Sequence, residues 1–115
     1  MDAEFTLSSD IQSNVLVIHT SGYVNNYGGE KIAQEFDKHF KNGIKNVVIN
    51  LEKSSVVNSI GISFLIEIIE KLSDEDGKLI FTNLDSGIEK MLTIMGLFNY
   101  AGKEATVEDA IKSLA

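Results

Sequence analysis

The sequence predicts a single α/β domain with a mixed, mostly parallel central β-sheet of four to five strands and about four α-helices. The length of 115 residues suits one compact domain and leaves no room for a second. Short apolar runs alternate with helical patterns through the second half of the chain. Such alternation requires right-handed crossovers between parallel strands. No internal repeat or linker interrupts it, so residues 1–115 are expected to form one domain.

The first part of the chain predicts an antiparallel pair of strands followed by a helix. The strands are expected at 4–8 and 15–20, and the polar stretch 9–14 separates them. Apolar side chains recur at helical spacing from about 29 to 41, and an Asn-Gly pair then supplies a left-handed stop. One amphipathic helix is therefore expected there.

The rest of the chain alternates strands and helices. Buried strands are expected at 46–51 and 78–83, with a short edge strand at 98–101. Helices are expected over 59–73, from Asp85 or Ser86 to about Met95, and over 107–114. A capping box is expected between Ser86 and Glu89, and Thr106 is expected to cap the last helix.

Two of these helices have apolar faces that we expect to pack on the sheet. The face of the helix over 59–73 comprises Ile60, Phe64, Leu65, Ile68, Ile69 and Leu72. The face of the next helix comprises Ile88, Met91, Leu92 and Met95.

Composition and charge argue against several classes of protein. The net charge is -7, and all ten basic residues are lysine, so direct binding of nucleic acid is not expected. The chain has no cysteine and two histidines, which argues against thiol catalysis, metal sites and a cofactor. No apolar run approaches the roughly 18 residues that cross a bilayer, and the N-terminus has no signal-peptide pattern. We therefore expect no membrane insertion and a cytoplasmic location.

The junction between the strand at 46–51 and the helix at 59–73 is the place where we expect function. It lies at the carboxyl edge of the predicted sheet, where open α/β sheets usually bind ligands. A helix N-terminus carries unpaired N–H groups and a partial positive charge, which would stabilise a phosphate on Ser59. Two interpretations are open: Asn58 or Ser59 is only the helix N-cap, or Ser59 is a phosphoacceptor.

A mixed strip of side chains lies beside the apolar face of this helix. Its members are Ser59, Ile62, Ser63, Ile66 and Glu70. Either the first helix covers Ile62 and Ile66, or these two side chains belong to a docking surface. Helical periodicity does not choose between the alternatives.

The segment from Val47 to Leu65 resembles the signature of the STAS domain, a family found in bacterial anti-sigma factor antagonists and sulphate transporters. The apolar strand leads through a short loop to the run 58–61, Asn-Ser-Ile-Gly, and then to a long helix. The family has Asp-Ser-Ser-Gly or Asp-Ser-Ala-Gly at this place. Upstream, 21–25 looks like the family's Gly-Glu-Leu-Asp turn, and 106–110 looks like the start of its C-terminal helix.

The resemblance implies a non-enzymatic regulator of sigma-factor-dependent transcription in a bacterium. In antagonists of this family, the serine of the motif is phosphorylated by a serine kinase of the histidine-kinase-like ATPase type, which is also the anti-sigma factor. The unphosphorylated antagonist binds that partner and frees the sigma factor. Carried over to this sequence, the phosphoacceptor is Ser59. From the strip on the helix and the loop before it, we expect the partner-binding residues to be Asn58, Ser59, Ile62, Ser63, Ile66 and Glu70.

Two other functions are open. A STAS scaffold or lipid-transport accessory module would dock a partner through the same helix without phosphorylation, and Asn58 in place of the motif's acid favours it. A small enzyme or nucleotide-binding domain would use the carboxyl edge of the sheet, but the sequence has no recognisable phosphate loop. The sequence does not identify the partner or the oligomeric state.

Overall fold

The computed structural model describes residues 4–115. The expectation that the N-terminus has no signal peptide rests partly on residues 1–3, which lie outside this range. Its strands are β1 (Thr6–Gln12), β2 (Val15–Ser21), β3 (Asn46–Lys53), β4 (Lys78–Thr82) and β5 (Gly102–Glu104). Its helices are α1 (Asn26–Phe40), α2 (Ser59–Ser73), α3 (Ser86–Ile94) and α4 (Val107–Leu114), with a short 3-10 helix at Leu97–Asn99. The predicted fold class is confirmed.

The five strands form one sheet in the order β1-β2-β3-β4-β5. β1 is antiparallel to β2, and the other neighbours are parallel. Alternate side chains of the strands point to opposite faces. One face carries the main core with side chains of α1, α2 and α3. The other face packs a smaller cluster against Ala110 of α4. All of α1, α2 and α3 therefore lie on one side of the sheet.

The N-terminal hairpin differs from the prediction in extent. β1 continues to Gln12, so most of the polar stretch 9–14 belongs to a strand. Ser13 and Asn14 alone form the turn, with φ values of 52° and 64°. Polar side chains are tolerated here because β1 is an edge strand whose side chains are mostly exposed.

Other details of the elements also differ from the prediction. The edge strand β5 begins at Gly102, and the 3-10 helix occupies the first half of the range 98–101 that was expected to be a strand. Asp85 caps α3 by accepting a hydrogen bond from Gly87 N at 2.8 Å, so the capping box from Ser86 is wrong. α1 begins at Asn26, three residues before the expected start.

The buried faces of α2 and α3 are also narrower than predicted. Ile60 is 51% exposed, although it was expected on the core face. It lies in the first turn of α2, on the part of the helix circumference next to Glu67, which also faces solvent. On α3, Ile88 and Leu92 are buried, whereas Met91 and the following C-cap residue Met95 are exposed. A short helix at the margin of the sheet buries one narrow stripe only.

Candidate functional site

Two neighbouring loops at the carboxyl edge of the sheet hold the N-terminus of α2. The β2–α1 loop and the β3–α2 loop are joined by backbone hydrogen bonds: Val24 N donates to Val56 O at 3.0 Å, and Asn58 N donates to Val24 O at 3.2 Å. Val24 and Val57 also form an isolated parallel bridge. These contacts fix the residue before Ser59 against the rest of the domain.

The close approach of these loops requires a glycine in the first turn of α2. A Cβ atom on Gly61 would come 2.1 Å from the carbonyl oxygen of Val24. A Cβ atom on Gly29 of α1 would come 2.7 Å from the ring of Phe64 and 3.1 Å from the Cα atom of Gly61. The two helices therefore meet where neither residue has a side chain. The contribution of Val24 was not predicted from the sequence, in which only the two glycines could have signalled it.

The two helices that follow these two loops, α1 and α2, are each capped by a neutral amide. The Oδ1 atom of Asn58 accepts a hydrogen bond from Gly61 N at 2.7 Å, and the Oδ1 atom of Asn25 accepts one from Gly28 N at 3.0 Å. Neither α1 nor α2 has an acidic residue in its first turn. The partial positive charge of the two N-termini is thus not compensated by a carboxylate there, and the edge favours an anion.

Ser59 is the first residue of α2, and its side chain is exposed. Because Asn58 is the N-cap, the Ser59 hydroxyl is not needed for that role. Of the two residues that were expected as candidates for the N-cap, Asn58 therefore provides it. Ser59 therefore stands at the protein surface with a hydroxyl that the cap does not use.

The strip beside the core face of α2 divides into one buried residue and a surface ridge. Ile62 is only 1% exposed and belongs to the main core, so its assignment to the partner-binding surface is a correction. The remaining members, Ser59, Ser63, Ile66 and Glu70, are exposed and follow one another along one side of the helix. We call these four residues the α2 ridge.

One alternative from the sequence was that α1 covers Ile62 and Ile66. In the structure α1 covers neither of them. α1 packs on the flank of α2 that carries Phe64 and Lys71, as the Gly29 contact and the salt bridge from Lys71 to Asp37 at 3.1 Å show. Ile62 lies on the other flank and is buried in the core that also contains residues of α3. Ile66 is 37% exposed.

Four exposed apolar side chains that were not predicted as part of the site lie on the two loops and at the first turns of α1 and α2. Ile60 follows Ser59 on α2, and Val56 precedes it in the β3–α2 loop; each is 51% exposed. Tyr23 and Tyr27 are exposed at the neighbouring β2–α1 loop and the start of α1. We call these four residues the apolar collar. Exposed apolar side chains on neighbouring loops are typical of a protein contact surface.

Other kinds of site find less support in the described part of the chain. Within residues 4–115, no group of three or more His, Asp or Glu side chains is placed to hold a metal ion. In the same range, no helix combines the length and the apolar composition that a membrane span needs.

The family assignment follows from the whole chain. The model of the STAS domain family matches residues 6–110. The protein therefore belongs to the STAS domain family, which confirms the resemblance found in the sequence.

Three solved structures illustrate the similarity. An anti-sigma factor antagonist from Mycobacterium paratuberculosis is 20% identical with a TM-score of 0.85, over 98% of this chain and 97% of that chain. The anti-sigma factor antagonist SpoIIAA in its unphosphorylated form is 21% identical with a TM-score of 0.82, over 95% and 96%. The Bacillus cell fate determinant SpoIIAA in the phosphorylated form is 22% identical with a TM-score of 0.74, over 97% and 100%. At these identities the likeness shows a common fold.

Proposed function

We propose that this protein is an anti-sigma factor antagonist whose binding to a kinase-type anti-sigma factor is controlled by phosphorylation of Ser59. The observation that carries the proposal is the exposed Ser59 hydroxyl, which stands at the N-terminus of α2 while Asn58 provides the cap. The similarity to antagonists of this name supports it. In this proposal the protein is not an enzyme and regulates sigma-factor-dependent transcription in a bacterial cytoplasm.

The partner surface consists of Asn58, the α2 ridge and the apolar collar. The collar supplies apolar area that a partner can bury, and the ridge supplies hydroxyl groups and one carboxylate around it. Ile62 supports this surface from below, because its side chain packs in the core beneath the ridge.

Phosphorylation acts on the interface and leaves the fold intact. A phosphate on Ser59 adds a charge of about -1.5 to -2. Within the domain this charge lies at a helix N-terminus and is stabilised there. In the complex the same charge must lose water among Val56, Ile60 and the partner, which is costly unless a cation pairs with it. Binding is therefore lost while the domain stays folded.

Asn58 in place of an acid is compatible with phosphorylation of its neighbour. In protein kinases the residue that accepts the hydroxyl proton belongs to the kinase. The acceptor protein has to present the hydroxyl in an accessible position. Ser59 meets that requirement because it is exposed and its backbone position is fixed by the hydrogen bonds of Asn58.

A second candidate is a docking module that binds a protein partner without phosphorylation. The observation that favours it is Asn58 itself, because a neutral amide leaves no carboxylate beside the acceptor hydroxyl. This candidate uses the same ridge and collar and differs only in the fate of Ser59.

The proposal is tested by mapping phosphate on the purified chain after incubation with a cytosolic extract of the native host and ATP. We expect one phosphate, on Ser59, that is lost in Ser59→Ala and retained in Ser63→Ala. Ser63 is the matched control because it is exposed one turn further along the same ridge. A stoichiometric protein partner with no phosphate on Ser59 would contradict the switch and support the docking module.

A further inference from the structure

A groove lies between the C-terminal half of α2 and the segment that follows α3. Its volume is about 640 Å³. Ile69 and Leu97 are buried at its base, and Ile66, Met95 and Tyr100 line it with exposed side chains. The groove lies beyond the middle of α2, away from Ser59.

Several large apolar side chains are exposed in this groove and beside it. Tyr100 is 78% exposed, and Ile94, next to the lining residue Met95, is 69% exposed. Met91 on α3 and Met95 directly after it, both predicted on an apolar face, are also exposed. Contiguous apolar side chains of this kind mark binding sites, and methionine adapts its shape to a bound surface.

Two carboxylates give the groove a negative edge. Glu70 and Asp74 both line it and are one helical turn apart. Within residues 4–115 neither takes part in a salt bridge, whereas Lys71, between them in sequence, pairs with Asp37 and Glu67. The whole chain carries a net charge of -7. A second copy of the chain would bring like charge to this edge, and a basic segment would bring opposite charge.

We propose that the groove binds an amphipathic helix of a protein partner. Apolar side chains of that helix would lie against Ile66, Met95 and Tyr100. Its lysine or arginine side chains would face Glu70 and Asp74. The stretch from Ile66 to Asp74, the residue that follows α2, is about 12 Å long, which matches two turns of a bound helix. The groove is a second surface beyond the one proposed around Ser59, although Ile66 and Glu70 belong to both surfaces.

The probe is a synthetic helical peptide of about 14 residues with leucine on one face and lysine along one edge, and a matched peptide carries glutamate in place of lysine. On the isotope-labelled full chain, we expect the lysine peptide to shift amide signals of 66–74 and 95–100. Tyr100→Ala and the pair Glu70→Lys with Asp74→Lys should each weaken binding about tenfold. Glu108→Lys, a control on α4, should leave binding within about twofold.

Several outcomes would overturn the proposal. Equal binding of the glutamate peptide, shifts centred on another surface, or an equal loss in Glu108→Lys would show unspecific binding. A dimer in sedimentation equilibrium that Tyr100→Ala abolishes would make a second copy the occupant. Circular dichroism confirms that each variant is folded. Ser59→Asp should leave the peptide affinity unchanged, so failure of the switch and failure of the groove are separate results.

Discussion

The carbonyl oxygen of Val24 occupies the place where a side chain on Gly61 would begin, because a Cβ atom there would come 2.1 Å from it. This relationship joins the β2–α1 loop to the first turn of α2. It also explains why a glycine stands two residues after the candidate phosphoacceptor. The position of Ser59 thus depends on a backbone contact made by a residue far away in sequence.

We expect Gly61→Ala to lower the free energy of unfolding by at least about 2 kcal/mol, because a backbone carbonyl cannot move aside as a flexible side chain can. Urea denaturation followed by circular dichroism measures the change. Ser63→Ala, an exposed change in the next turn of α2, should stay within about 0.5 kcal/mol. Equal stabilities of the two variants would show that the loops do not make this close contact.

Local sequence patterns predicted the elements that depend on local chemistry. The helix at 59–73 matches α2 in both bounds, and Thr106 caps α4 as expected, with its hydroxyl accepting a hydrogen bond from Asp109 N. The junction before Ser59 was also found from the sequence, because a buried strand, a loop and a helix follow one another there. These features are set by residues that are close together along the chain.

The two residues at the start of α2 are expected to differ in their contribution to stability. Asn58→Ala removes the side chain that caps the helix and should lower the free energy of unfolding by about 1 kcal/mol. Ser59→Ala removes an exposed hydroxyl outside the cap and should change it by less than about 0.5 kcal/mol. Thermal unfolding of both variants under one condition checks the difference. A larger loss for Ser59→Ala would show that Ser59 carries the cap.

The two isoleucines of the strip provide a direct test of burial. Ile62→Lys places an unpaired charge in the core and should either prevent folding or lower the free energy of unfolding by more than about 3 kcal/mol. Ile66→Lys introduces the same group on the ridge and should leave the melting temperature nearly unchanged. Calorimetry of both proteins measures this, and a large loss for Ile66→Lys would place Ile66 in the core.

Periodicity could not separate these two residues, because burial on a helix depends on what lies on each flank. α1 packs on one flank of α2. Ile62 lies on the opposite flank, in the core that also contains residues of α3. The buried face of α2 is therefore displaced around the helix from the predicted face. Ile60 and Met95 show the converse, since each lies on a predicted apolar face and is exposed. Tertiary packing decides these positions, and the sequence of one helix does not contain it.

The carboxylate of Glu35 on α1, which contacts Ser9 of β1, makes the stability of the fold depend on pH. The hydroxyl of Ser9 donates a hydrogen bond to Glu35, and this lowers the pKa of Glu35 below its ordinary value; burial opposes the shift, and Lys38 and His39 assist it. A pKa that is lower in the folded state stabilises the fold at neutral pH, and this contribution is lost as pH falls below about 4.

We therefore expect Ser9→Ala to raise the pKa of Glu35 toward its ordinary value. The variant should be less stable than the wild type at pH 7, and the difference should shrink in acid, where Glu35 is protonated in both proteins. An NMR titration of the Glu35 side-chain carboxyl carbon measures the pKa directly. An unchanged titration curve would show that the Ser9 hydroxyl does not stabilise the carboxylate.

The most direct test of the central claim compares Ser59→Ala with Ser59→Asp in both partner binding and stability. Each variant and the wild type serve as bait in the native host's extract, and quantitative mass spectrometry measures recovery of a histidine-kinase-like ATPase. We predict that Ser59→Ala retains this partner and Ser59→Asp loses it, while Ser59→Asp is at least as stable as Ser59→Ala because the helix N-terminus favours a negative charge. Equal recovery of the partner by both variants, with no phosphate on Ser59 of the wild type, would contradict the account.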